Sequence, residues 1–438
     1  MIDHRTLRVA LLGAGSVGSQ VARLLLEHAD ELEGRAGARL ELVGIAVRNV
    51  DAQRDVELPH ELFTTDAHEL IVGSDIVIEL MGGIEPARTH ILDALQSGAD
   101  VITGNKALLA THGAEIFDAA DQVGASVSYE AAVAAAIPIL RPLKDSLAGD
   151  FVTRIFGIVN GTTNYILDRM DTEGADFAEV LADAQMLGYA EADPTADVEG
   201  YDAAQKAAIL ASLAFHTNVP LEAVHCEGIS SIGADAIENA KKAGYVIKLL
   251  ATCERLPAEN GEDAAISVRV YPALIKRDHP LASVHGGNNA VYVEAAAAGP
   301  LMFYGAGAGG VQTASAILGD VVSAARRHIA GGVGVGESAR GTQPIADIGR
   351  ITTRYQITLD VTDEQGVLAT VATILNEGGV SIATLEQTAV ETNDGESRAR
   401  LVIGTHRARE QALSATTERL AESGVVERVV TVLRVEGE

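Results

Sequence analysis

The tightest constraint on this chain lies near its start. Leu7 to Leu12 form a short apolar run, unbroken after Arg8, that passes directly into Gly13-Ala14-Gly15-Ser16-Val17-Gly18 and then into a helical pattern from Ser19 to His28. This reads as strand, tight turn, helix. In a dinucleotide-binding turn the first glycine permits the bend, and the second lets a pyrophosphate reach N–H groups at the helix N-terminus. The third lets helix and strand pack closely. A purely structural turn has the same spelling, and in a chain with 44 glycines the motif alone says little. Its place after the first strand of an alternating pattern favours the cofactor reading.

That alternation continues. Apolar runs recur at Leu40 to Val47, Ile76 to Leu80, Asp100 to Thr103 and Ser126 to Tyr129, with helix-like stretches at Thr89 to Ser97 and Ala110 to Gln122. Strands separated by helices imply a parallel sheet covered on both faces. From Phe151 the pattern changes to long helices (Phe177 to Leu187, Tyr201 to Phe215, Ala234 to Cys253) mixed with strands at Ile155 to Val159, Ala265 to Val270 and Ala290 to Ala296. A glycine-rich stretch, Gly331 to Pro344, reads as a linker. Beyond it, Arg354 to Val361 alternates, Gly366 to Glu377 is helical, and Ser381 to Val390 and Ser397 to Gly404 alternate. Arg407 to Glu422 is helical and Val425 to Val435 returns as a strand, giving βαββαβ. The expected class is α/β: a Rossmann-type dinucleotide-binding domain over 1–140, an α+β substrate and dimerisation domain over 141–340, and a ferredoxin-like βαββαβ domain over 350–438.

Composition removes several classes of function. With 61 acidic and 33 basic residues the net charge is -28, which opposes a nucleic-acid partner because phosphate backbones are bound by basic surface. No run approaches the ~18 apolar residues of a membrane span, and the N-terminus lacks the pattern of a signal peptide. A cytoplasmic protein without a membrane partner is expected. Cys226 and Cys253 have neither CxxC nor zinc-ligand spacing, and reduced, structural thiols are expected in helical or inter-helical stretches.

The chemistry concentrates in a few places. The second strand ends in Ala46-Val47-Arg48-Asn49, where an acidic residue would bind the 2′-hydroxyl of NAD. Arg48 suits a 2′-phosphate, so the reading leans to NADP, with NAD and a merely solvated arginine left open. In Gly188-Tyr189-Ala190-Glu191-Ala192-Asp193-Pro194-Thr195-Ala196-Asp197, followed by Gly200-Tyr201-Asp202 and Lys206, a loop leads into a helix on which Asp202 and Lys206 stand at i and i+4. Carboxylates around one lysine suit a cationic amine substrate whose hydroxyl or carbonyl exchanges a proton with Lys206. An exposed i, i+4 ion pair beside solvated acids fits the same letters. Lys106, in Thr103-Gly104-Asn105-Lys106, follows a strand whose C-terminal end borders the ligand crevice of such sheets, although a lone lysine there is usually solvated. Phe303 to Gly310 reads as another close-approach glycine loop, or a flexible turn, before a helix from Gln312 to His328.

Together these residues resemble the homoserine dehydrogenase family over essentially the whole chain. The most specific segments are Gly157-Ile158-Val159-Asn160-Gly161-Thr162-Thr163-Asn164-Tyr165-Ile166-Leu167 and Leu187 to Lys206. The resemblance implies reduction of aspartate semialdehyde to homoserine, and the reverse, in threonine, methionine and isoleucine biosynthesis. It implies that Glu191 and Asp202 bind homoserine, with Tyr189 and Asp197 beside the substrate, and that Lys206 is the proton donor and acceptor. Lys106 would lie by cofactor and substrate, and Gly188 and Gly307 would contact the cofactor. A monovalent cation, Na⁺ or K⁺, would sit at Glu130, Val133, Ala135 and Ile137, in a segment where many relatives have glycine at Ala135 or Ala136. The C-terminal unit resembles an ACT domain, with Asp360 to Leu368 matching its ligand loop, and threonine is the effector this implies.

Three further expectations follow. A module placed after a complete active site should be separable, so deletion from about Gly341 is expected to leave an active enzyme, unless the module serves assembly. A homodimer or homotetramer is expected. A thiolate-dependent aldehyde dehydrogenase, or a sensor that kept a nucleotide fold, is the competing class.

Overall fold

The computed structural model describes residues 5–259, 261–331, 341–390 and 398–437. They pack into two compact units, one of Met1–Ile155, Gln205–Ala223 and Asn288–Thr342, the other of Phe156–Ala204, Val224–Gly287 and Gln343–Glu438. The chain begins with β1 (Thr6–Leu12), α1 (Ser16–Glu27), α2 (Ala29–Ala36), β2 (Arg39–Ala46), β3 (Phe63–Thr64) and α3 (Ala67–Ile71). It continues with β4 (Ile76–Glu79), α4 (Ala87–Gln96), β5 (Asp100–Thr103), α5 (Lys106–Val123), β6 (Val127–Ser128) and α6 (Ala131–Ala134). The strands are parallel in the order β3-β2-β1-β4-β5-β6. The order reverses between β1 and β4, where doubly wound sheets bind dinucleotides.

Next come β7 (Val152–Ile158), α7 (Gly161–Glu173), α8 (Phe177–Met186), α9 (Thr195–Val198), α10 (Tyr201–Phe215), β8 (His225–Cys226) and α11 (Ala234–Lys242). After them are β9 (Tyr245–Leu256), β10 (Ala265–Lys276), β11 (Asn288–Ala295), β12 (Gly299–Ala306) and α12 (Gly310–Ala330). The long helix expected over Ala234 to Cys253 is instead α11 followed by β9. Gly244, at φ 82°, turns the chain, and Val246 to Cys253 are buried without interruption. Such a run lacks the alternation that marks a half-buried strand, so periodicity cannot separate it from a buried helix. Cys226 and Cys253 accordingly lie on strands β8 and β9, not in helical stretches. The glycine stretch from Phe303 is strand as far as Ala306, in an antiparallel hairpin of β11 with β12, and only then loop.

In the first unit one sheet face is covered by α1 and α12, through Val21, Leu25, Ala314, Ile317 and Val321. The other packs on Ile91, Leu95, Leu108 and Ile116 of α4 and α5. The compact units thus cut across the expected 141–340 segment, because α12 has an apolar stripe that only this sheet face buries. Most of the proposed linker, residues 332–340, lies outside the described residues, while Gly341 bonds to His216 (2.8 Å).

The C-terminal segment holds β13 (Thr352–Thr362), α13 (Val367–Glu377), β14 (Ile382–Val390), β15 (Arg398–Thr405), β16 (Ala408–Arg409), α14 (Glu410–Ala421) and β17 (Val426–Glu436). The strands β17-β13-β15-β14 form an antiparallel sheet in that order, around a core of Leu359, Val371, Leu375, Leu401, Leu413 and Leu420. In the second unit this sheet is not separate: β17 pairs in parallel with β10, giving β7-β9-β10-β17-β13-β15-β14. Among the described residues no helix is long and apolar enough to cross a membrane.

Candidate active site

At the end of β1 the three glycines separate into two kinds. Gly13 has φ 99°, and a Cβ there would lie 2.5 Å from the Leu80 carbonyl oxygen. A Cβ at Gly18 would overlap the Gly13 carbonyl oxygen. Both are required by the backbone. Gly15, the N-cap of α1, faces open space, so nothing in the protein demands its missing side chain. A ligand approaching the N–H groups of the first turn of α1, which a helix leaves without partners, would. The second glycine loop comes to the same place, since a Cβ at Gly310 would stand 2.6 Å from the Ser16 carbonyl oxygen. Neither α1 nor α12 has an acidic residue in its first turn, which leaves both N-terminal dipoles available to an anion. Gly307 abuts the carboxamide of Asn289, which is buried and has no hydrogen-bond partner among the described residues. An open cradle beside an orphaned carboxamide fits a nicotinamide dinucleotide.

Arg48 is exposed just beyond β2, and among the described residues it has no ion-pair partner. The loop after it is tied down by Arg54, which donates to the carbonyls of Asn49, Val50 and Ala52 and lies 4.2 Å from the Phe63 ring centroid.

Lys106 opens α5. Asn105 caps that helix by accepting from Leu108 N–H (3.2 Å) while its amide donates to the Gly83 carbonyl (2.7 Å). Thr103 accepts from Asn105 N–H (3.0 Å) and donates to Glu79 (2.6 Å), whose other oxygen accepts from Met81 N–H (2.7 Å). This wholly buried carboxylate fixes the loops after β4 and β5 and hence the start of α5. The sequence reading missed Glu79, which looks like one polar end of an apolar strand.

In the second unit the acidic cluster converges on a residue that the sequence reading quoted but gave no role. The Asn160 side-chain amide donates to Asp197 (2.7 Å) and Asp202 (2.9 Å), while its oxygen caps α7 by accepting from Thr163 N–H (2.8 Å). One amide thus holds two carboxylates together. Thr162 donates to the Tyr189 carbonyl (2.7 Å), and the Tyr189 ring stacks on Tyr165 at 5.0 Å. Gly188 (φ 76°) and Glu191 lie on the exposed loop before α9, and no bond from the Glu191 carboxylate is found among the described residues. Asp202 and Lys206 stand one turn apart on α10, and both are buried. The alternative of an exposed surface pair is therefore wrong.

Two family models match the chain, described as homoserine dehydrogenase, NAD binding domain, over residues 13–130, and homoserine dehydrogenase over residues 138–322. The homoserine dehydrogenase of Corynebacterium glutamicum is 54% identical over 430 residues, covering 98% of this chain and 95% of that protein. The chain belongs to the homoserine dehydrogenase family. It is an NAD(P)-dependent oxidoreductase that interconverts aspartate semialdehyde and homoserine. The crystal structure of a homoserine dehydrogenase from Thiobacillus denitrificans is 37% identical with a TM-score of 0.90, covering 99% of each chain. A hyperthermophilic archaeal homoserine dehydrogenase in complex with NADPH is 26% identical with a TM-score of 0.60, covering 73% of this chain and 97% of that one.

The competing thiolate chemistry finds no support. Burial pushes the Cys226 thiol up to about 11 and Cys253 up to about 12, so neither supplies a thiolate nucleophile near neutral pH. At the expected cation segment, the Glu130 carboxylate already accepts from the N–H groups of Ile139 (2.6 Å), Leu140 (2.8 Å) and Arg141 (2.9 Å). Main-chain oxygens are thus the available donors. Ala135 has φ 50°, and no backbone hydrogen bond reaches the Ala135 or Ile137 carbonyl among the described residues. Those oxygens fit a hard monovalent cation.

Proposed function

We propose that Lys206 is the proton donor and acceptor of the reaction, that Asp202 and Glu191 hold the substrate ammonium with Asp197 and Tyr189 beside it, and that Lys106 polarises the reacting oxygen. The observation that carries this is the Asn160-clamped pair of Asp197 and Asp202, the second of them one helical turn before Lys206 on α10. A carboxylate pair fixed in this way is preorganised for a cationic amine, and a buried lysine next along the helix suits proton exchange with an alkoxide. The bound nicotinamide supplies or takes the hydride. The N–H groups after Gly13 hold the pyrophosphate, with Gly188 and Gly307 at the cofactor, and Arg48 favours NADP over NAD. Glu130, Val133, Ala135 and Ile137 hold a monovalent cation, Na⁺ or K⁺.

The C-terminal sheet and its helices act as an ACT module that binds threonine as inhibitor, in a cytoplasmic homodimer or homotetramer. The regularly packed core of that module supports the reading. The deciding measurement is homoserine-dependent reduction of NADP and NAD by the purified protein and by Lys206→Ala. Loss of a general acid–base group should lower kcat on the order of 10²-fold or more, with cofactor binding by fluorescence unchanged. Lys206→Arg should not rescue, since a guanidinium keeps its proton. Near-normal turnover in Lys206→Ala would remove that residue from the mechanism.

A further inference from the structure

Between Asp197 and Asp202 lies a short span, Val198 to Gly200, that is gripped by a second segment, residues 226–230. Ile229 N–H donates to the Val198 carbonyl (2.7 Å), and the Cys226 thiol to the Glu199 carbonyl (3.3 Å). The Ser230 hydroxyl donates to the Glu199 carboxylate (2.5 Å). A Cβ at Gly228 would overlap the Val198 carbonyl, and one at Gly200 would stand 3.1 Å from the Cys226 sulfur. The strap of residues 226–230 therefore sets where the backbone between the two carboxylates runs.

In the middle of that strap Glu227 faces the C-terminal module. Its carboxylate accepts from Arg434 Nη1 on β17 (2.9 Å) and lies 2.6 Å from His225 Nε2. Arg434 is held from behind by Glu410 at the start of α14 (3.0 and 2.6 Å), whose same oxygen accepts from the Tyr355 hydroxyl on β13 (2.5 Å). Its guanidinium lies 4.4 Å from the Tyr271 ring centroid. Arg434 is thus the one residue of this route that belongs to the module and touches the strap.

We propose that Glu227 is a positioning residue for the Asp197–Asp202 pair and that Arg434 makes that position depend on the C-terminal module. The proposal deepens the function assigned above and rests on the reading of those two carboxylates as the substrate's ammonium site. A module that shifts β17 or α14 when it binds a ligand moves Arg434, and the strap follows. Substrate affinity changes while the glycine loops of the first unit, which share no residue with this route, keep the cofactor as before.

The test uses the full chain with Glu227→Gln, which keeps the shape of the side chain, and Arg434→Lys, which keeps the charge but loses the forked contact to two carboxylates. Each should raise the KM for homoserine by about 5-fold or more, the usual lower bound of coupling between linked sites, and leave the KM for the nicotinamide cofactor unchanged. The double variant should be no worse than the worse single one. Hydrogen–deuterium exchange should accelerate in the peptide of residues 193–204 and not in α7. Unchanged homoserine KM and unchanged exchange in both variants would overturn the proposal, as would parallel loss of cofactor and substrate affinity with protection lost throughout. Should the unmodified chain fail to oxidise homoserine, the function assigned above falls, and the exchange measurement still decides whether Arg434 and Glu227 control residues 193–204.

Discussion

The molecule holds two of its key junctions by opposite means. Where β1 meets α1, the backbone is brought close by the absence of side chains at Gly13, Gly18 and Gly310. Where β10 meets β17, closeness comes from buried charge: Arg269, 3% exposed, donates to Glu254 (2.8 Å), to Glu436 (3.2 Å) and to the Tyr271 hydroxyl (2.8 Å), which donates to Glu436 (2.5 Å). Desolvation opposes the Arg269 charge, yet the phenol and carboxylates around it hold its proton more firmly than usual. Steric junctions tolerate any ligand that fits the space they leave. Ionic ones specify particular partners and are costly to break on one side.

The largest expected effect breaks the ionic junction. Arg269→Met should destabilise the protein by ~3–5 kcal/mol, the range for breaking a buried ion pair on one side, because it takes from the buried Glu436 carboxylate the cation it pairs with. Deletion from Gly341 removes all of β17 and should give an inactive, poorly folded second unit, contrary to the separable module that the sequence suggests. A truncated protein with full activity and an unchanged Tm would make that junction dispensable.

At the steric junction, Gly18→Ala should cost about 3 kcal/mol, toward the upper end of overpacking, because the obstacle is a backbone carbonyl with little freedom to move. Gly15→Ala should leave Tm nearly unchanged and raise the cofactor KM instead. Equal losses of Tm would erase the distinction between a glycine kept for the fold and one kept for a ligand. Arg48→Ala, just beyond that junction, should weaken NADP roughly tenfold or more and NAD little, since only NADP offers a phosphate for a charge-assisted bond. Comparable losses with both cofactors would place Arg48 away from the adenosine ribose.

The last effect concerns a second buried cation. Lys248 on β9 donates to the Asn164 side chain (2.9 Å) and the Val284 carbonyl (2.7 Å), and burial pushes it down to about 8 from an ordinary 10.5, against the pull of Asp168 and Asp171. Between those two values the unfolded chain still binds a proton that the folded chain has released, so this group's contribution to stability rises with pH across the window. Below about 8 the cost of the buried ammonium is present in full. Denaturant titrations from pH 7 to 10 should therefore show the unmodified protein gaining on Lys248→Met, and parallel curves would remove Lys248 from the ionic side of the comparison.

Some of the site was legible because its geometry is local. The GxGxxG turn, the strand end before Lys106 and the i, i+4 spacing of Asp202 and Lys206 are fixed by residues within one turn of each other, and backbone sterics and helical pitch leave them little choice. The βαββαβ order of the C-terminal segment was legible for the same reason, since each of its elements has its own period.

Sequence by itself thus determined the cofactor turn, the acid–lysine helix face and the family to which both belong. Tertiary structure alone decided what holds them: Asn160 clamps carboxylates 37 and 42 residues away, and Glu436 meets Arg269 across 167. It also brought α12 onto the face of the first sheet and turned Tyr245–Leu256 into a strand buried on both sides from Val246 to Cys253. Partners at such separations leave no periodic trace in the chain, because what selects them is the desolvation of a shared interior that exists only once the chain has folded.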